Sequence, residues 1–106
     1  MSIKTVWRPF TDSEIEKAPI LDGVYGLYDG SEAIYYGKGE GKEGIRVRLE
    51  WHKAGHGGSC TQKATAFNYE TCFNPSQRET ELLAEHKRLY GKLPRCNDIT
   101  PSYSNF

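Results

Sequence analysis

Gly23-Val24-Tyr25-Gly26-Leu27-Tyr28-Asp29-Gly30-Ser31-Glu32-Ala33-Ile34-Tyr35-Tyr36-Gly37 is the stretch whose reading decides the fold of this 106-residue chain. Residues 24–28 and 33–36 are rich in aromatic and branched side chains, which favour a pleated, half-buried backbone. Asp29-Gly30-Ser31 between them has turn chemistry, so the stretch predicts an antiparallel hairpin. Each strand carries tyrosine and touches glycine, placing phenol hydroxyls beside bare backbone. An ordinary hairpin would bury those rings and leave the hydroxyls wet.

The whole chain is large enough for one domain with one modest core. Hydrophobic residues make up 37% and charged residues 26%, a balance that excludes a disordered or membrane-embedded chain. No apolar run approaches the length of a membrane span, and the first residues lack the apolar core of a signal peptide. Cys60, Cys72 and Cys96 are odd in number and lack framework spacing. They are expected to be free thiols in a cytoplasmic, intracellular protein.

The formal net charge is zero, which argues against adhesion to nucleic acid by bulk attraction. The distribution is polarised. Residues 1–37 hold three basic side chains against six acidic ones, and the remainder holds eleven against eight. Lys87, Arg88, Lys92 and Arg95 form a run with no acid inside it. Such a run is a solvated face unless phosphate meets it.

Outward from the hairpin, residues 1–22 read as an arm. Thr11-Asp12-Ser13-Glu14 has capping-box spacing for a short helix ended by Pro19, and Val6, Trp7 and Phe10 are expected to cover an edge of the core. After the hairpin, Gly39, Gly41 and Gly44 spell G-x-G-x-x-G. No βαβ pattern surrounds them, so no nucleotide cofactor is expected; a loop in which amides and Lys38 meet one phosphate fits better. A helix is predicted over 45–54, with Ile45, Leu49 and His52 on its buried face and Arg48 and Trp51 at the margin. His52, His56 and Cys60 recur every four residues, but glycines at 55, 57 and 58 interrupt any helix that would give zinc-site meaning to that spacing. A third strand is predicted over 65–73, with Phe67, Tyr69, Thr71 and Phe73 on one face. The last helix begins at Pro75 and ends at Gly91, with Leu82, Leu83, Leu89 and Tyr90 as its buried arc. Glu79 and His86 fall inside that arc, whereas Glu81, Glu85 and Arg88 face solvent. Glu79 has two readings here. It is either the partner of Ser76 in a capping box or a carboxylate kept near the core for chemistry.

In this order the pieces resemble the GIY-YIG nuclease family. Gly23-Val24-Tyr25 and Tyr35-Tyr36-Gly37 look like the two half-motifs, and Arg48-x-x-x-His52 looks like the pair on the family's first helix. Arg78-Glu79 before Leu82-Leu83 resembles the segment carrying the metal-binding glutamate, and Pro94-Arg95-Cys96-Asn97 resembles the closing Pro-x-x-Asn. The resemblance spans residues 23–97. The glycine-rich loop makes the gap from Gly37 to Arg48 longer than in compact members, and the stretch from the last helix to Asn97 is also long.

The resemblance implies a small α/β (α+β) sandwich, a three-stranded antiparallel sheet flanked by helices. It divides the chain into an arm (1–22), a nuclease core (23–98) and a tail (99–106). It further implies a metal-dependent DNA endonuclease, a hydrolase of phosphodiesters. The implied catalytic residues are Tyr25, Tyr35, Arg48, His52 and Glu79. Lys38, Arg48, Arg95 and Asn97 would bind the nucleic acid, and Glu79 would hold Mg²⁺ or Mn²⁺. Arg48 would fork onto the phosphate. Either Tyr25 or Tyr35 would be the general base, with Lys38 and His52 lowering a phenol pKa that is ordinarily about 10. The expected partner is DNA, not a membrane, and the expected state is monomeric. The alternative is a catalytically silent module of the same fold that binds nucleic acid or a protein partner.

Overall fold

The computed structural model describes residues 3–97; the expected tail, 99–106, lies outside the described residues. Strand β1 (Arg8–Pro9) and helix α1 (Asp12–Ile15) precede the hairpin of β2 (Gly23–Asp29) and β3 (Glu32–Gly39). Helices α2 (Gly44–Lys53) and α3 (Ser59–Gln62), strand β4 (Ala66–Thr71) and helix α4 (Pro75–Tyr90) follow. All pairings are antiparallel, in the order β1-β4-β2-β3. The sheet therefore has four strands rather than the three expected. The addition is two residues of the N-terminal arm, too short for any periodic signal, with Arg8 opposite Phe67 and Pro9 opposite Ala66.

Two cores lie on the two faces of this α+β domain. Phe10, Ile15, Tyr25, Leu27, Ile34, Ile45, Leu49 and Phe67 form the larger one, under α1 and α2. Val24, Tyr36, Leu82 and Ile3 form the smaller one, under α4. Alternation explains the split along β2, where neighbours point to opposite faces. In β3 the alternation breaks. Leu27 pairs with Tyr35 and Tyr28 with Ala33, which leaves Ile34 as an extra residue in a bulge. Ile34 and Tyr35 consequently both join the larger core, while Tyr36 joins the smaller one. A bulge re-aims side chains in this way, and here it brings Tyr35 to the face that carries Tyr25.

The last described segment covers the exposed edge of β3. The Cys96 amide donates to the bulged Ile34 carbonyl at 2.8 Å. Asn97 accepts from the Tyr36 amide (2.9 Å) and donates to the Tyr36 carbonyl (3.0 Å). Unpaired backbone on an edge strand is thereby satisfied by a side chain that mimics a neighbouring strand.

Several expectations fail for local reasons. Cys60 and Cys96 are joined in a disulfide, their Cα atoms 5.7 Å apart, and only Cys72 is a free thiol. Their 36-residue separation carries no framework signal, because the pairing arises from α3 and the edge segment meeting in space. The free-thiol argument for an intracellular location therefore no longer holds. Helix α4 is capped by Asn74, whose side chain accepts from the Gln77 amide, and not by Ser76. Ser76 is already inside the helix, so Glu79 is not its capping-box partner. Leu89 and Tyr90 are exposed rather than core-facing, because only Leu82 of the expected arc is fully buried under the sheet. Strand β4 stops at Thr71, leaving Phe73 fully exposed in the turn. Val6 is exposed and Trp7 partly so, the latter stacked on Tyr28 at 4.3 Å between ring centroids. No helix among the described residues is long and apolar enough to cross a membrane.

Candidate active site

Tyr25 is wholly buried on the central strand β2, directly opposite Gly37 of β3. A Cβ at Gly37 would lie 2.5 Å from the Tyr25 hydroxyl and 2.7 Å from the Tyr35 ring. Glycine at this point is what allows the two phenols to converge across the ladder. The Tyr25 hydroxyl lies 2.8 Å from Nε2 of His52, and Nδ1 of His52 lies 2.9 Å from the Thr61 hydroxyl. Tyr25, His52 and Thr61 are all essentially inaccessible. Tyr35 is half-buried and lies against the His52 ring, with 4.9 Å between ring centroids.

Helix α2 supplies both Arg48 and His52 because residues four apart share a face. Leu49 and Ile45 anchor that face in the larger core. The Arg48 guanidinium lies over the Trp51 ring, 4.2 Å from its centroid, a contact that holds a cation without neutralising it. Helix α4 packs on the other face of the sheet, yet its first turns reach the glycine-bare end of β3. There Lys38 donates to the Ser76 hydroxyl at 2.6 Å and pairs with Glu40 at 3.3 Å. Glu79, one turn after Ser76, acts electrostatically on Tyr25 and Tyr35 and feels Lys38, Glu40 and Arg48.

The electrostatics follow from burial. Desolvation drives the Tyr25 phenol far above the ordinary range; Tyr35 adds to this and Arg48 opposes it. Tyr35 is also raised, first by burial and then by the Glu79 charge, again against Arg48. Burial, reinforced by Arg48, lowers His52 to about 4, so the ring is neutral at physiological pH. It does not supply the positive charge expected to activate a tyrosine. Arg48 is the cation that acts on both phenols. Burial raises Glu79, with Lys38 and Arg48 opposing and Glu40 reinforcing.

Glu79 makes no hydrogen bond or ion pair among the described residues. Among the described residues every fully buried side-chain nitrogen or oxygen has a partner, so the Glu79 oxygens remain open to water. Among the described residues, no group of three or more His, Cys, Asp and Glu side chains is placed to hold a metal ion. The donor set nevertheless fits a hard divalent cation of the Mg²⁺ kind, which is commonly held by one or two carboxylates, waters and substrate phosphate.

Five of the residues singled out from sequence, Tyr25, Tyr35, Arg48, His52 and Glu79, are brought into one electrostatic neighbourhood, with Lys38 beside Glu79. Arg95 and Asn97 are not. Arg95 sits at the opposite, turn end of the hairpin, bonded to Glu32 at 2.6 Å and Asp29 at 2.9 Å. Asn97 spends both polar groups of its side chain on the Tyr36 backbone. Thr61 was not legible as a member of this site. Its hydroxyl reaches His52 only because the glycine-rich turn at 55–58 folds α3 back onto α2, and no spacing announces that. Compared with known proteins, the chain matches no family model and no curated protein sequence.

Proposed function

We propose that this domain is a metal-dependent DNA endonuclease of the GIY-YIG type that hydrolyses phosphodiester bonds. The observation that carries the reading is Glu79, a half-buried carboxylate without a partner among the described residues. It lies within electrostatic reach of an arginine and of a phenol pair backed by an imidazole. A carboxylate kept in such surroundings costs stability unless a cation is to meet it.

Each side chain then has a physical task. Glu79 would hold Mg²⁺ or Mn²⁺, and when bound the ion supplies Lewis-acid stabilisation of charge on the phosphoryl oxygens. Arg48, stacked on Trp51 and with no carboxylate in ion-pair range among the described residues, offers its fork to the scissile phosphate. Tyr35 is the phenol that meets water, since Tyr25 is inaccessible. Tyr25 stands behind it, its hydroxyl held against the imidazole. Neutral His52, bonded to Thr61 through Nδ1 and to the Tyr25 hydroxyl through Nε2, fixes the orientation of that phenol. Lys38 steadies the start of α4 through Ser76, and Asn97 fixes β3 rather than touching substrate.

The test is nicking of supercoiled plasmid with Mg²⁺ or Mn²⁺, comparing the parent with Glu79→Gln and Arg48→Ala. Loss of a charge-stabilising group costs on the order of 10²–10³ in rate, and loss of the metal more. Both variants are expected to fall by at least that much while remaining folded. Full nicking by Glu79→Gln removes the metal site from the reading. A mobility shift without nicking by the parent supports the silent binding module instead.

A further inference from the structure

The Cys60–Cys96 disulfide sits between two segments that each hold part of the candidate site. Next to Cys60 on α3, Thr61 bonds His52 Nδ1 at 2.9 Å. On the other side, the Cys96 amide holds the bulged Ile34 carbonyl, and its neighbour Asn97 clamps Tyr36. Tyr35 lies between those two anchor points, and the bulge is what places it on the Tyr25 face. Besides the Thr61 bond, the Gln62 side-chain amide of α3 donates to the Lys53 carbonyl at 3.3 Å. The helix is four residues long, has no side-chain cap bond, and follows a turn containing Gly55 and Gly58 at positive φ. Cys96 is buried and Cys60 half-buried. The free Cys72 packs with the smaller core, on the other side of the sheet.

We infer that the Cys60–Cys96 bond is a redox brace of the candidate site. Oxidised, it holds Thr61 against His52 and the 94–97 segment against the Ile34 bulge. Reduced, it frees both anchors, and the imidazole and Tyr35 lose their fixed positions while the two cores stay packed. The reductant is a dithiol. Its thiolate attacks the more accessible Cys60 sulfur, the S–S bond breaks, and Cys96 leaves as a thiolate. The second thiol of the reductant then resolves the mixed disulfide. Two electrons and two protons pass to the protein, giving two thiols, and the reductant becomes a disulfide. Thr61 is thus a positioning residue, acting through His52.

The effect on activity rests on the nuclease reading, so the experiment has two readouts. The intact chain is compared oxidised and after treatment with dithiothreitol, with reduction verified by alkylation and mass, and folding by circular dichroism. The His52 imidazole resonances are followed by long-range ¹H–¹⁵N NMR, and plasmid nicking is followed with Mn²⁺. The reduced protein is expected to stay folded, to shift and broaden the His52 resonances, and to lose nicking by about a hundredfold, the scale of an ångström-level misplacement. Reoxidation restores both. Cys60→Ser behaves as the reduced form and ignores dithiothreitol, whereas Cys72→Ser responds like the parent. If neither redox form nicks but the resonances still move, the nuclease reading fails and the brace stands. Unchanged His52 resonances after complete reduction overturn the inference. So does global unfolding on reduction, because the bond would then hold the domain rather than the site.

Discussion

His52 is engaged at both ring nitrogens and almost fully buried, so it tolerates one ring proton but not two. Its folded pKa, about 4, lies below the ordinary value near 6.5. The folded state therefore binds fewer protons than the unfolded chain between those limits. Stability is expected to fall as pH drops from about 6.5 towards 4, with a slope of roughly 1.4 kcal/mol per pH unit for this one group. Below 4 its penalty is constant. Urea midpoints across this range should show a shallower acid limb in His52→Gln, and identical limbs in the two proteins would contradict the burial argument. Glu79 carries the opposite sign. Its pKa is raised by burial, so its charge weakens the fold at neutral pH, and the penalty is relieved as acid protonates it. Because Asn74 and not Ser76 caps α4, Glu79→Gln should melt no lower than the parent at pH 7, even as metal-dependent nicking is lost. A lowered melting temperature would show that the carboxylate has a structural partner after all.

Strand β3 is the element on which the site depends, and only part of it was legible. The tyrosine- and glycine-rich pattern marks two strands and a turn, and the register places Tyr25 opposite Gly37. The bulge at Ile34 leaves no trace in that pattern, because an extra residue does not change composition. Helix α2 was more transparent, since a 3.6-residue period separates buried Leu49 and His52 from marginal Arg48 without knowledge of any partner. Two substitutions test what β3 requires. Asn97→Ala removes two hydrogen bonds to Tyr36, and should cost about 1–3 kcal/mol in denaturant unfolding, since edge backbone regains only part of its bonding from water. A change below a few tenths would mean that the edge needs no cover. Gly37→Ala places a methyl against the Tyr25 hydroxyl. It should displace the phenol from His52, visible as a changed His52 imidazole shift, with activity falling more than stability.

At the scale of the whole molecule, the sequence identified the hairpin, both long helices and strand β4, expected as the third strand, because each has a period or a cap of its own. It missed whatever depends on two distant segments meeting: strand β1, the disulfide and the Thr61 contact. It also overcounted the positive charge available to DNA, because ion pairing cannot be seen along a chain. Arg95 is committed to Asp29 and Glu32, and Arg88 of the basic run lies 3.6 Å from Glu85. With zero net charge, affinity for DNA must come from a few local cations. Arg48, which has no carboxylate in ion-pair range among the described residues, is the one inside the site. Each phosphate neutralised contributes about −0.9 to the slope of log K against log salt. Fluorescence anisotropy with a short labelled duplex, without divalent metal and over a series of KCl concentrations, should therefore give a shallow slope of roughly −2 to −3. Arg48→Ala should flatten it by about one phosphate's worth. Arg95→Ala should leave the slope nearly unchanged, and instead lower the melting temperature slightly by exposing Asp29 and Glu32 to each other. If Arg95→Ala flattens the slope as much as Arg48→Ala, the DNA path runs along the hairpin turn rather than over the Gly37 end, and the site residues would have to be reassigned.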